Sequence, residues 1–332
     1  MTDVLLHAYL PLFAWTGLGI VLFRFLPDAL PRWLGRSLYW VGVPLEILAL
    51  TRRSSFSVQV GIVPLVAIAT LLIGFILAWL TLQRPRIQLL PKPPASETPS
   101  SPPFPPSPAE NSSPASSLPT QGSFLLSSIL GNTGFVGLAV VPAFVSAPYL
   151  SWVVLYSVTH NIVGSYGIGV VISSYFGRSA SPDRGWRQLR DVLTVPSLWA
   201  FFLGSVTQSI ALPAFLEDGL QSSIWVVIPA ALLLMGMRIS QLKGWKSLQM
   251  AVIPTFFKAI LLPSLIGLTL TAAGLTGDAR LSLVLMSGMP TAFAGLILAE
   301  EYELDRELIA SSIVLTTGLL LLTIPLWLVL WQ

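Results

Sequence analysis

"GNTGFVGLAVVPAFV", residues 131–145, is too apolar for a surface loop and too rich in glycine for an ordinary helix. Gly131, Gly134 and Gly137 fall three apart, Asn132 lies among them, and Pro142 withdraws a backbone donor just beyond. In water such a stretch would read as a tight turn. The solvent it lives in is decided by the rest of the chain.

Apolar residues make up 54% of the 332 and charged residues 10%, with a mean hydropathy of +0.77. Soluble domains run at roughly 45–50% and about 25%, so this is the composition of an all-α membrane protein whose surroundings are the lipid bilayer. No cysteine is present, which removes disulfides and thiolate metal sites from consideration. No metal ligand set, cofactor or nucleic-acid partner is expected. The N-terminus runs Met-Thr-Asp directly into an apolar segment, without a basic region or cleavage site, and reads as a first span.

A helix needs about 20 apolar residues to cross the hydrocarbon core. Ten candidate spans follow: Leu5 to Phe25, Ser37 to Leu50, Val58 to Leu82, Phe124 to Val145, Trp152 to Phe176, Pro196 to Leu212, Leu220 to Met237, Leu248 to Leu275, Leu281 to Ala299 and Leu308 to Trp331. The second is short, and the fourth and ninth are interrupted. With the N-terminus outside, the inner loops hold Arg24, Arg32, Arg36, Arg84, Arg86, Lys92, Arg178, Arg184, Arg187, Arg190, Arg238, Lys243, Lys246 and Arg306. The outer loops hold only Arg52, Arg53 and Arg280. Fourteen against three, in a chain of the plasma (inner) membrane, orients both termini outside.

Residues 83–121 contain 12 of the 27 prolines and many serines, in blocks such as "SPPFPPSP". This composition cannot bury enough apolar surface to fold and predicts a disordered cytoplasmic linker. The expected organisation is spans one to three over 1–82, the linker over 83–121, spans four and five over 122–176, a basic cytoplasmic loop over 177–195 and spans six to ten over 196–332.

The two halves repeat. "PLFAWTGLG" from Pro11 aligns with "PSLWAFFLG" from Pro196, and "LYWVGVPLEIL" with "IWVVIPAALLL", so that Pro11, Gly19 and Pro44 each lie 185 residues before Pro196, Gly204 and Pro229. "VGLAV" around Gly137 matches "AGLIL" around Gly295 at an offset of 158, shorter by 27 residues, about the length of the proline-rich insertion. Five spans per half is an odd number, so the second copy enters the membrane inverted. Inverted repeats with paired broken helices mark secondary transporters, whose sites lie near the midplane where those helices meet. The paired breaks here are "GNTGFVGLAVVP" in span four and "SGMPTAFAG" around Pro290 in span nine. Exposed backbone in hydrocarbon is costly, so such breaks survive only when buried in protein or lining a wet cavity.

These residues resemble the auxin efflux carrier family of membrane transport proteins, which includes bacterial malate and malonate carriers and is related to the bile acid:sodium symporters. The resemblance rests on "GNTGFVGL" at 131–138, "SVTHNIVG" at 157–164, "VGVPLEIL" at 41–48 and, most specifically, "MPTAFAGLILAEEYELD" at 289–305. It implies ten spans in two inverted five-helix repeats, a scaffold of spans one, two, six and seven, and a transport domain of the other six. Spans four and nine would cross at their broken middles, with elevator-like movement and a homodimer. The chain departs from the family at Ala139, where relatives often carry proline; here proline comes at Pro142.

Half-helix N-termini at such a crossing favour an anion. The expected ligand groups for a small organic anion are Gly131, Asn132, Gly134, Gly137, Pro290 and Thr291, with Asn161 from span five. Asn132 could equally cap a broken helix, and Asn161 and His160 could serve interhelical bonding alone. Glu46, Lys258 and His160 are intramembrane groups that could carry a coupling proton or substrate charge; Glu300, Glu301 and Glu303 read as a solvated helix end. Coupling to H+, to Na+ or to the membrane potential alone stays open. No catalytic residue is expected: GxxxxGK[ST], HExxH and GxSxG are all absent. The alternatives are a receptor or scaffold acting through the linker and, least favoured, an intramembrane enzyme.

Overall fold

The computed structural model describes residues 2–27, 29–53, 58–83, 117–177, 196–241 and 246–331. Most of the proline-rich linker, the basic loop 178–195, and with them Arg84, Arg86, Lys92, Arg178, Arg184, Arg187, Arg190 and Lys243 lie outside the described residues. Among the described residues every regular element is helical, and the one pairing outside helices is an isolated antiparallel bridge between Gly131 and Thr291.

Twelve helical runs follow in chain order. α1 is Thr2–Phe23; α2 covers 30–53, as Leu30–Ser37, a π turn Leu38–Gly42 and Val43–Arg53; α3 is Ile62–Gln83, entered through a 3-10 turn Val58–Gly61. α4 is Leu118–Ile129, and α5 covers 133–143 with a π turn Thr133–Gly137 at its start. α6 covers 150–176 around a long π segment His160–Gly169. α7 is Pro196–Val206, α8 Ala214–Ser240, and α9 covers 246–272 around the π turn Phe257–Leu261. α10 is Gly277–Ser287, α11 Phe293–Glu301 and α12 Arg306–Trp331. Four segments are long and apolar enough to cross a membrane: Ile62–Leu82, Ala214–Ser240, Leu248–Ala272 and Arg306–Trp331.

Two boundaries differ from the sequence expectation. The second span is not short: Arg32 and Arg36 depress the hydropathy of its first turns, yet the backbone is helical from Leu30, and the Arg36 guanidinium lies 5.8 Å from the Trp33 ring. α4 begins at Leu118, inside the stretch assigned to the linker, because Pro119 suits a first helical turn where no N–H is needed. Thr120 then donates from Oγ1 to Asp305 Oδ2 at 3.1 Å, and Asp305 Oδ1 caps α12 by accepting from the Leu308 N–H at 3.1 Å.

α1 packs along α8, and α2 along α7 and α8. At the first of these contacts there is no room for a side chain: a Cβ on Gly236 would overlap the Thr16 carbonyl, and one on Gly19 the Leu233 carbonyl. Small residues let the two backbones meet, and Ser240 Oγ donates to the Ile20 carbonyl at 3.1 Å. Arg52 at the end of α2 pins the α7–α8 connection, donating to the Thr207 carbonyl, to the Ile210 carbonyl at 2.9 Å, and pairing with Glu217 at 3.2 Å. Beyond this group, α4 touches α3, α6, α9, α11 and α12. Its buried face, Leu125, Leu126, Ile129 and Leu130, joins Ala251, Leu308, Ile309 and Ile313 in one apolar core.

Candidate functional site

α4 stops at Ile129 and α10 stops at Ser287, and each chain continues as a short extended stretch before helix resumes at Thr133 and Phe293. The two stretches pair with one another. The Asn132 N–H donates to the Pro290 carbonyl at 2.6 Å and the Ala292 N–H to the Leu130 carbonyl at 2.9 Å, forming the Gly131–Thr291 bridge. The expected breaks in spans four and nine thus supply one another's backbone partners, which is what buried non-helical backbone requires.

A helix end leaves its last carbonyls without partners, and at α4 most of these are satisfied from elsewhere. The Leu126 carbonyl accepts from the Leu130 N–H at 2.9 Å, Ser127 from Thr291 Oγ1 at 3.1 Å, and Ile129 from Lys258 Nζ at 3.3 Å. Thr291 is held in turn by Thr316, whose Oγ1 accepts from the Thr291 N–H at 3.0 Å while donating to the Ser312 carbonyl at 2.6 Å. Gly131 explains the close approach of Lys258: a Cβ there would lie 2.8 Å from Nζ and 3.0 Å from Cε.

Asn132 caps α5. Its Oδ1 accepts from the Phe135 N–H at 3.2 Å, and its carbonyl accepts from Val136 and Gly137 at 3.2 and 3.0 Å. The side chain is buried, yet Nδ2 makes no bond to the protein among the described residues. α11 opens at Ala292 without any side-chain cap. Gly134 and Gly137 serve contact: a Cβ on Gly134 would lie 3.2 Å from Asn161 Nδ2, and one on Gly137 3.0 Å from Met286 Sδ. Asn161 donates from Nδ2 to the Ser157 carbonyl at 2.9 Å, which aims the amide along α6 at α5.

His160 is buried, with Nε2 3.4 Å from the Gly131 nitrogen, and its Nδ1 has no partner among the described residues. The ring stacks on Tyr156 with centroids 6.0 Å apart. Glu46 is the exception to this gathering. It is buried in α2 with Oε1 unpartnered, and the one ion pair among the described residues is Arg52–Glu217, so Glu46 and Lys258 do not pair. Glu300, Glu301 and Glu303 are exposed at the end of α11, as expected of a solvated helix end.

The family described as "Membrane transport protein" matches residues 178–328. An uncharacterized transporter of Methanocaldococcus jannaschii is 26% identical over 211 residues, 62% of this chain and 67% of the relative. An uncharacterized transporter of Methanothermobacter thermautotrophicus is 24% identical over 200 residues, 59% and 63% of the respective lengths. The second half of the chain is thus similar to membrane transport proteins, and about three fifths of the whole chain to two transporters. Both partners of the crossing's second strand, Pro290 and Thr291, lie inside the matched segment, whereas Gly131 and Asn132 lie before it. The chain spans about two thirds of the relatives it matches.

What the chain is similar to are transporters, which leaves the intramembrane enzyme without support. Three residues of the crossing escaped the sequence reading: Ser127, Thr316 and the Ile129 carbonyl. Serine and threonine are common in membrane helices as donors to their own preceding turn, so nothing in the sequence separates Thr316 from its neighbours Ser312 and Thr317. The one available signal was the density of hydroxyls along α12.

Proposed function

We propose that this protein is a secondary transporter that carries a small organic anion, a carboxylate, by alternating access at the crossing of α4–α5 and α10–α11. The observation that carries the reading is the backbone pairing of the two interrupted helices, Asn132 N–H to Pro290 and Ala292 N–H to Leu130. Interrupted helices that meet inside a transporter present half-helix ends to cargo and ions. The uncapped start of α11 offers N–H groups and the positive end of its dipole to a carboxylate. Asn132 Nδ2, with no protein partner among the described residues, supplies a directed donor, and Asn161, bordering Gly134, lines the approach.

The ten-span inverted arrangement and the elevator-like movement belong to the same reading. Supporting them are the 185-residue offset in the sequence and the extensive packing of α1 along α8 and of α2 along α7 and α8. On this reading both termini face outward from the plasma (inner) membrane, and two copies associate through the scaffold helices.

The test is flux in proteoliposomes across a panel of mono- and dicarboxylates, indole acids and bile-acid-like anions, with pH, sodium gradient and membrane potential varied independently. Saturable uptake of at least one carboxylate is expected. Robust flux of a cation or a neutral solute, with none of any organic anion, overturns the reading.

A further inference from the structure

Lys258 lies in the π turn of α9 with its side chain fully buried. Its ammonium is directed at the break in α4, donating to the Ile129 carbonyl at 3.3 Å and lying against Gly131. No carboxylate answers it, since the one ion pair among the described residues is Arg52–Glu217. An ammonium taken out of water without a counter-charge is costly, so the position needs another source of negative potential. α4 provides it: the aligned peptide dipoles of a helix leave the equivalent of about half a negative charge at its C-terminal end, and a cation within the last turn is stabilised there. The Met289 carbonyl, which lies 3.6 Å from where a Gly131 Cβ would be, borders the same spot.

In carriers built on broken helices, unwound carbonyls and half-helix C-terminal ends are where sodium is coordinated. Here a side chain reaches a place of that kind. We propose that the Lys258 ammonium is the resident cation of the crossing, supplying from the chain itself the positive charge that an alkali ion brings elsewhere, so that this protein takes up no sodium at that point. The inference rests on the transporter reading above and deepens it by assigning the cation requirement of the site. Lys258 acts as a positioning residue: its charge holds the end of α4 and, through it, the Gly131–Thr291 bridge.

The experiment compares thermal unfolding of the purified full chain in equimolar sodium chloride and choline chloride, for wild type, Lys258→Ala and Lys258→Met. Wild type should have the same Tm in both salts. Lys258→Ala should have a lower Tm that rises in sodium chloride over choline chloride and also rises with propylammonium chloride, each cation occupying the vacated space. Lys258→Met, which fills that space with an apolar stem, should respond to neither. A sodium-specific rise in the wild-type Tm, or a Lys258→Ala protein indifferent to both cations, overturns the proposal. Where Lys258→Ala does not fold, binding of radioactive sodium to the wild-type protein decides: saturable binding overturns it and none supports it. These readouts need no cargo, so the absence of anion flux would sink the transporter reading without touching them. Sodium-stabilised wild type with intact anion flux would sink only this inference.

Discussion

Asn132 and Thr291 occupy corresponding places in the two breaks, yet they are bonded differently, and the difference yields separate predictions. Thr291 Oγ1 is committed to the Ser127 carbonyl. Thr291→Val keeps the shape and removes the donor, leaving a buried carbonyl unsatisfied at about 1–3 kcal/mol; a lower Tm is expected, with Thr291→Ser near wild type. Asn132 divides its amide between a cap through Oδ1 and a free Nδ2. Asn132→Ala should lose about 1 kcal/mol of stability with the cap and raise the KM for the transported carboxylate. Asn132→Ser restores a capping oxygen without the amide donor, so it should recover Tm but not KM. Recovery of both would reduce Asn132 to a cap. The capping place of Asn132 was legible because a polar residue between glycines in an apolar run has few uses. The destination of Lys258 was not, because its partner Ile129 is 129 residues away and is a backbone carbonyl, which carries no residue-type signal.

At the scale of the helices, the breaks were readable and the contacts were not. Glycine and proline mark where a helix must end, so the positions of the α4–α5 and α10–α11 interruptions follow from residues 131–137 and 288–290. The π turns at 38–42, 160–169 and 257–261 have no comparable signature, and they decide which way His160 and Lys258 face. The second span was misjudged for a related reason: hydropathy counted Arg32 and Arg36 against a helix that the backbone continues through. Two glycines of α8 separate packing from propensity. Gly236 meets the Thr16 backbone, whereas nothing lies within 4 Å of a Cβ placed on Gly219. Gly236→Ala must force α1 and α8 apart, an overpacking cost of about 1–3 kcal/mol. Gly219→Ala should instead gain roughly 0.5–1 kcal/mol from helix propensity. Thermal unfolding of the two variants should move Tm in opposite directions, and a fall for both would mean that α8 tolerates no change, whatever its contacts.

For the whole molecule, the composition announced a membrane protein, whereas the proline-rich segment between α3 and α4 gives two readings, a tether or a docking site. Past the linker, Thr120 is bonded to Asp305 at the start of α12, so α4 is tied to the far half of the chain by its own first turn. The crossing therefore does not depend on the linker for its geometry. Deleting residues 91–112 leaves eleven residues between Gln83 and Ser117, which reach roughly 35–40 Å when extended and change the loop-closure entropy by only about 1 kcal/mol. The shortened protein should unfold at close to the wild-type Tm and keep wild-type flux of whichever carboxylate the liposome panel identifies. Loss of flux with an unchanged Tm would assign the linker a part in the transport cycle. Intact flux in liposomes with lost activity in cells would assign it a cellular partner, because only the second setting contains one.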